Sequence, residues 1–187
     1  SPLAAPTNFG SYYLARMHGF LIPPKTGDYT FWIASKTSSE FWLSTNSSAA
    51  GLRKIAFIAD GRAANPEQWD KFPSQTSETI HLVAGEPCLF DVIQEHRAGR
   101  YDTVAVAWQG PGIAKTVIDD RYLIPYANHA TNGIIRDYWD NYFSASVQPL
   151  TSGEFQSSEI VVAHPRIKIL GNSPFPKPMP IEIGEAL

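Results

Sequence analysis

The residues that could carry chemistry are few and scattered. Five histidines, His18, His81, His96, His129 and His164, stand far apart, with no spacing that would bring two of them onto one metal ion. Glu95-His96 is the nearest thing to an acid–base pair, but neighbours on an extended strand point to opposite faces, so the two could cooperate only at a turn. Asp119-Asp120 supplies adjacent carboxylates, whose ordinary work beside a strand end is to cap or solvate a turn. No G-x-S-x-G elbow, H-E-x-x-H helix, paired Cys or phosphate-cradling loop is present. The single Cys88 has no partner for an intrachain bridge and sits in an apolar alternating run, as a buried structural thiol does. No reaction class is supported, and the expectation is a non-catalytic chain that needs neither cofactor nor metal.

The other function classes are bounded by composition. A net charge of −3, with no run of Lys or Arg, lacks the basic stripe that a nucleic-acid backbone demands. No apolar stretch approaches the ~20 residues that span a bilayer. The chain opens at Ser1 with neither Met nor a signal-like segment, which reads as a piece of a longer polypeptide. At 187 residues, 43% of them hydrophobic and 12% aromatic, it can bury one core of sandwich size plus an appendix, not two large domains. Recognition is the remaining class. Trp69 is a candidate here, because its flat ring can stack on the apolar face of a sugar, although aromatics in long loops more often pin the loop to the core.

The elements that must position these residues are short strands. Tyr12 to Ile22 reads as extended and stops at Pro23-Pro24, where two backbone donors are missing. After the turn Lys25-Thr26-Gly27-Asp28, the run Tyr29 to Ser35 alternates, with Tyr29, Phe31 and Ile33 on one face and Thr30, Trp32 and Ala34 on the other. Phe41 to Leu43, Leu52 to Ile58, Thr79 to Val83, Cys88 to Glu95 and Thr103 to Trp108 continue the pattern. Residues 60 to 78 form a long connection with Trp69 and Phe72 as its only large apolar groups. Seven or so strands with turn signals between them predict an all-β, antiparallel β-sandwich over residues 1–126. Residues 127–187 form a C-terminal extension: Ile134 to Phe143 is helix or strand, and Glu159 to Ala163 and Arg166 to Leu170 are two strands split by Pro165. The aromatics of the extension predict that it packs on the sandwich. Ser173 to Pro180, with proline at alternate positions, reads as an extended linker.

Several of these blocks resemble the PA14 domain family. Gly27-Asp28-Tyr29-Thr30-Phe31-Trp32-Ile33-Ala34-Ser35 is similar to its glycine turn and aromatic strand, and Gly19-Phe20-Leu21-Ile22-Pro23-Pro24 to the strand and proline stop before it. Ser39-Glu40-Phe41-Trp42-Leu43-Ser44, Ile80-His81-Leu82-Val83-Ala84-Gly85-Glu86 and Val104-Ala105-Val106-Ala107-Trp108-Gln109-Gly110-Pro111-Gly112 resemble later strands, and Val117-Ile118 through Tyr122-Leu123 the closing segment. The blocks stand in family order over about Ser11 to Pro125. The resemblance implies a twisted sandwich used as an accessory module in adhesins, glycosidases, toxins and bacterial surface proteins, hence secreted or at the cell surface. Its commonest ligand class is carbohydrate.

One departure bears on mechanism. Sugar-binding members carry two adjacent Asp residues after the Tyr29-type strand, which hold a calcium ion that chelates sugar hydroxyls; here those positions read Lys36-Thr37. An ammonium group repels the ion that two carboxylates would hold. Glu40, Asp102, Asp119 and Asp120 are the other carboxylates available, and their ordinary reading is solvated surface charge. The candidate ligand-binding residues are therefore Lys36, Thr37, Trp69 and Asp102, with no metal, and the partner is a glycan bound directly. The rival reading is a structural or protein–protein interaction domain within the remainder of a multidomain polypeptide.

Overall fold

The computed structural model describes residues 2–5, 13–96, 102–125, 133–140, 157–162 and 167–170, the last three spans as backbone only. Among these residues there is no α-helix; twelve strands form two antiparallel sheets, so the fold is an all-β sandwich. The large sheet runs β12 (Ile167–Leu170), β11 (Ser157–Val162), β10 (Gly133–Asp140), β1 (Tyr13–Leu21), β6 (Cys88–His96), β3 (Ser39–Leu43), β4 (Arg53–Ile58). The small sheet runs β5 (Ile80–Leu82), β2 (Gly27–Ser35), β7 (Val104–Gly110), β8 (Ile113–Val117). β9 (Leu123–Pro125) lies beside Gly19–Leu21 of β1 and β10 beside its Tyr13–His18, so the two share one edge of that strand.

The alternation read in Tyr29 to Ser35 is what builds the core. Tyr29, Phe31 and Ile33 are fully buried between the sheets, and Thr30 and Trp32 are half-buried on the outside. Trp108 of β7 stacks on Tyr29 at 5.3 Å and meets Tyr122 at 5.0 Å, and Phe31 meets Phe41 of β3 at 5.6 Å. Opposed aromatic pairs of this kind contribute beyond the area they bury. Gly110 is required by that cluster, since a Cβ there would stand 2.3 Å from the Tyr29 ring.

Two short strands escaped the sequence reading. β8 is a half-exposed edge strand directly after Gly110-Pro111-Gly112 and lies almost wholly between the last expected strand and the closing segment, while β9, at the end of that closing segment, is too brief to show a period. The ambiguous Ile134 to Phe143 proves to be a strand over Gly133–Asp140, and β10, β11 and β12 lengthen the large sheet beyond β1. The boundary at 126 and the proline-rich 173–180 lie outside the described residues.

At β1 and β6 the large sheet is buried on both faces. Leu14, Leu89 and Ile93 point away from the inter-sheet core yet are buried, and among them Arg16 makes a two-pronged pair with Asp91, Nε to Oδ1 and Nη2 to Oδ2 both 2.8 Å. All nine residues of β6 are buried, its polar Asp91, Gln94, Glu95 and His96 included.

Candidate functional site

One end of the sandwich is closed by three segments: residues 36–38 between β2 and β3, residues 59–64 after β4, and the return into β7 at 102–103. Backbone hydrogen bonds lock them together. Lys36 N–H donates to Thr103 O at 3.0 Å, Ala64 N–H to Ser35 O at 2.7 Å, and Glu95 N–H to Ser38 O at 2.9 Å. The 59–64 turn forms because Arg62 N–H reaches Ala59 O at 3.1 Å while Gly61 takes φ +71°, a conformation that costs glycine nothing.

Between these segments lies an open cleft of about 350 Å³, lined by Lys36, Thr37 and Ser38 on one wall, Asp60 and Arg62 on the other, and the buried Glu95. Its chemistry is mixed: two cations and two hydroxyls can donate, and two carboxylates can accept. Lys36 Nζ bonds to Asn65 Oδ1, and the Arg62 guanidinium lies 5.0 Å from the centre of the Phe72 ring, so both cations are braced by the 60–78 connection.

Of the four residues singled out from sequence, Lys36 and Thr37 line this cleft. Asp102 is only 1% exposed and accepts a hydrogen bond from the Tyr13 hydroxyl, so it lies beneath the surface. Trp69 is half-buried in the long connection and is not part of the cleft wall. The connection is held to the core by Phe72 and, above all, by the fully buried Gln75, whose Nε2 donates to Ile33 O at 2.8 Å and to Gln68 O at 2.7 Å while its Oε1 accepts from Phe72 N–H at 2.9 Å.

Two carboxylates read as solvated are not. Glu40 is buried between Trp42 Nε1 at 2.9 Å and Lys54 Nζ at 2.8 Å, and Asp102 is buried as described. Both lie in or beside strands whose partners come from distant parts of the sequence. Asp119 does cap a turn, accepting from Arg121 N–H at 3.0 Å; the Arg121 side chain bonds it as well and lowers its pKa to about 2. Glu95 and His96 point apart, Glu95 into the cleft and His96 against the Tyr13 ring at 5.4 Å. Burial pushes the Cys88 thiol up to about 11, so it stays protonated and unreactive at neutral pH. Among the described residues, no group of three or more His, Cys, Asp or Glu side chains is placed to hold a metal ion.

Asp60, Arg62 and Glu95 were missed from sequence. Glu95 was weighed only as a neighbour of His96, and nothing short of the fold brings residues 36, 62 and 95 to one cleft.

The sequence profile of the PA14 domain matches residues 5–122. The mouse N-acetyl-beta-glucosaminyl-glycoprotein 4-beta-N-acetylgalactosaminyltransferase 1 is 31% identical over 125 residues, which is 64% of this chain and 12% of that protein; the chain thus spans about an eighth of the relative's length. Among solved structures, the Epithelial Adhesin 9 A domain of Candida glabrata in complex with Galb1-3GlcNAc aligns with a TM-score of 0.44 at 18% identity, over 66% of this chain and 61% of that one. A PA14 sugar-binding domain from an RTX adhesin aligns at 0.44 and 14% identity, over 61% and 55%.

Proposed function

The chain belongs to the PA14 domain family, and on that premise we propose that it is a non-catalytic recognition module of a larger secreted or cell-surface protein, binding carbohydrate in the loop-end cleft without calcium. The observation that carries this reading is the lining of the cleft. Lys36 and Thr37, the positions at which the family resemblance expects an Asp pair, line it together with Asp60 and Arg62. Alternating donors and acceptors suit the hydroxyls of a saccharide directly, and the cleft volume of about 350 Å³ lies within the ~300–1,000 Å³ of small-molecule sites. Lys36 and Arg62 donate to ring or hydroxyl oxygens, while Asp60 and Glu95 accept from hydroxyls.

A glycan array run with calcium and again with a chelator tests this. Retention of at least one glycan, equally strong in both conditions, is expected. Retention only with calcium would refute the direct mechanism, and no retention in either would refute the carbohydrate reading. The second reading, a protein-interaction domain in a larger assembly, draws support from the Lys36–Asn65 bond, which already engages one of the cleft's donors.

A further inference from the structure

The inter-sheet core becomes polar just below the 36–38 segment, and its hydrogen-bonding capacity there exceeds what the protein satisfies. Gln94 is 1% exposed and faces Ser39, itself fully buried, across the β3–β6 register. Its Nε2 lies 3.1 Å from Thr103 O, 3.3 Å from Thr37 Oγ1 and 3.4 Å from Ser35 Oγ. Two N–H protons are thus spread over three acceptors, two of them at the limit of hydrogen-bond length. Gln94 Oε1, Ser39 Oγ and Thr103 Oγ1 are all buried without a hydrogen-bond partner. Buried polar atoms in native domains are satisfied by protein or by ordered water, and the other two orphans belong to the residue paired with Gln94 in register and to the residue whose carbonyl Gln94 holds.

We propose that an ordered water binds between Gln94 Oε1, Ser39 Oγ and Thr103 Oγ1, and that Gln94 with this water is the positioning device of the 36–38 segment. The donor set selects the ligand. Two hydroxyls donate and one amide oxygen accepts, which are the three partners a buried water takes; none of these three groups is a carboxylate, so they offer a divalent cation no charge compensation. The connection to the loop is direct. Gln94 grips Thr37, and the Thr103 carbonyl it also grips accepts from Lys36 N–H, so the amide and its water set where Lys36 and Thr37 stand in the cleft. This holds whatever ligand the cleft takes.

The test needs no glycan, so its failure is separate from failure of the carbohydrate reading. A high-resolution crystal structure of the unmodified protein should show a density peak about 2.6–3.2 Å from Gln94 Oε1, Ser39 Oγ and Thr103 Oγ1. The substitution Gln94→Met keeps length and removes both polar atoms. Amide hydrogen exchange at Lys36 and Thr37 should then quicken about tenfold or more, while the Phe31 and Ile33 amides deeper in β2 stay unchanged. Thr103→Val, which removes one hydroxyl, should move the same two amides by less and serves alone if Gln94→Met does not fold. Absence of a water between these three atoms, a metal ion in its place, or unchanged exchange at Lys36 and Thr37 in the variant that folds would overturn the proposal.

Discussion

The two ends of the inter-sheet space are built from opposite materials. At one end Tyr29, Phe31, Phe41, Trp108 and Tyr122 close ring against ring, with Gly110 cut back to make room. At the other, on the same strands, Ser35, Ser39 and Gln94 take the inward positions, and the cleft opens above them. β2 shows the change within one strand, from Tyr29, Phe31 and Ile33 to Ser35. Apolar contact is non-directional and stabilises the fold wherever it occurs, whereas a buried polar group must be matched atom by atom and so fixes geometry. The aromatic end supplies stability, and the polar end supplies a defined set of loops.

The largest effect should come from the aromatic end. Phe31→Ala removes a ring that touches Tyr29, Phe41 and Trp108, and a loss of about 3–5 kcal/mol is expected in urea unfolding. A loss under about 1 kcal/mol would erase the contrast between the ends.

Ending the chain after residue 126 is next. It removes β10, exposing the Tyr13–His18 edge of β1, and thermal unfolding should fall by about 5 °C or more. An unchanged midpoint would show that 127–187 is a separate piece rather than part of the large sheet.

The long connection gives the third comparison. Gln75→Ala strips three hydrogen bonds from a fully buried group and should cost about 2 kcal/mol, whereas Trp69→Ala, half-buried, should cost about 1 kcal/mol. Both should keep glycan retention on the array. Loss of retention in Trp69→Ala at wild-type stability would move the binding platform to Trp69.

How much of this was legible in the sequence follows the same division. The aromatic end was legible because alternation in Tyr29 to Ile33 leaves only one way for three large side chains to face a core. The polar end was not. Gln94 and Gln75 are residues of a type that is ordinarily exposed, and only the approach of Ile33, Thr37 and Thr103 from elsewhere in the chain makes each buried and matched. Lys36 and Thr37 could be singled out only through the family resemblance, while nothing local tied Arg62 or Glu95 to this cleft.

The smallest effect concerns acid. Asp119 has its pKa lowered from 3.8 to about 2, first by the Arg121 side chain, so its contribution is complete above about pH 4 and fades as pH falls toward 2. The side chain is 44% exposed, so Asp119→Asn should leave the thermal midpoint at pH 7 within about 2 °C of wild type and flatten the acid limb slightly. A large loss at pH 7 would show that this surface pair matters more than its exposure allows.

The most direct measurement is chemical-shift mapping by NMR of the glycan retained on the array, titrated in the presence of a chelator into the natural protein and into Lys36→Ala. The account predicts shifts concentrated at residues 36–38, 60–63 and 95, and affinity reduced about tenfold in Lys36→Ala with stability changed by under about 0.5 kcal/mol. Shifts clustered elsewhere, or appearing only when calcium is restored, would contradict it.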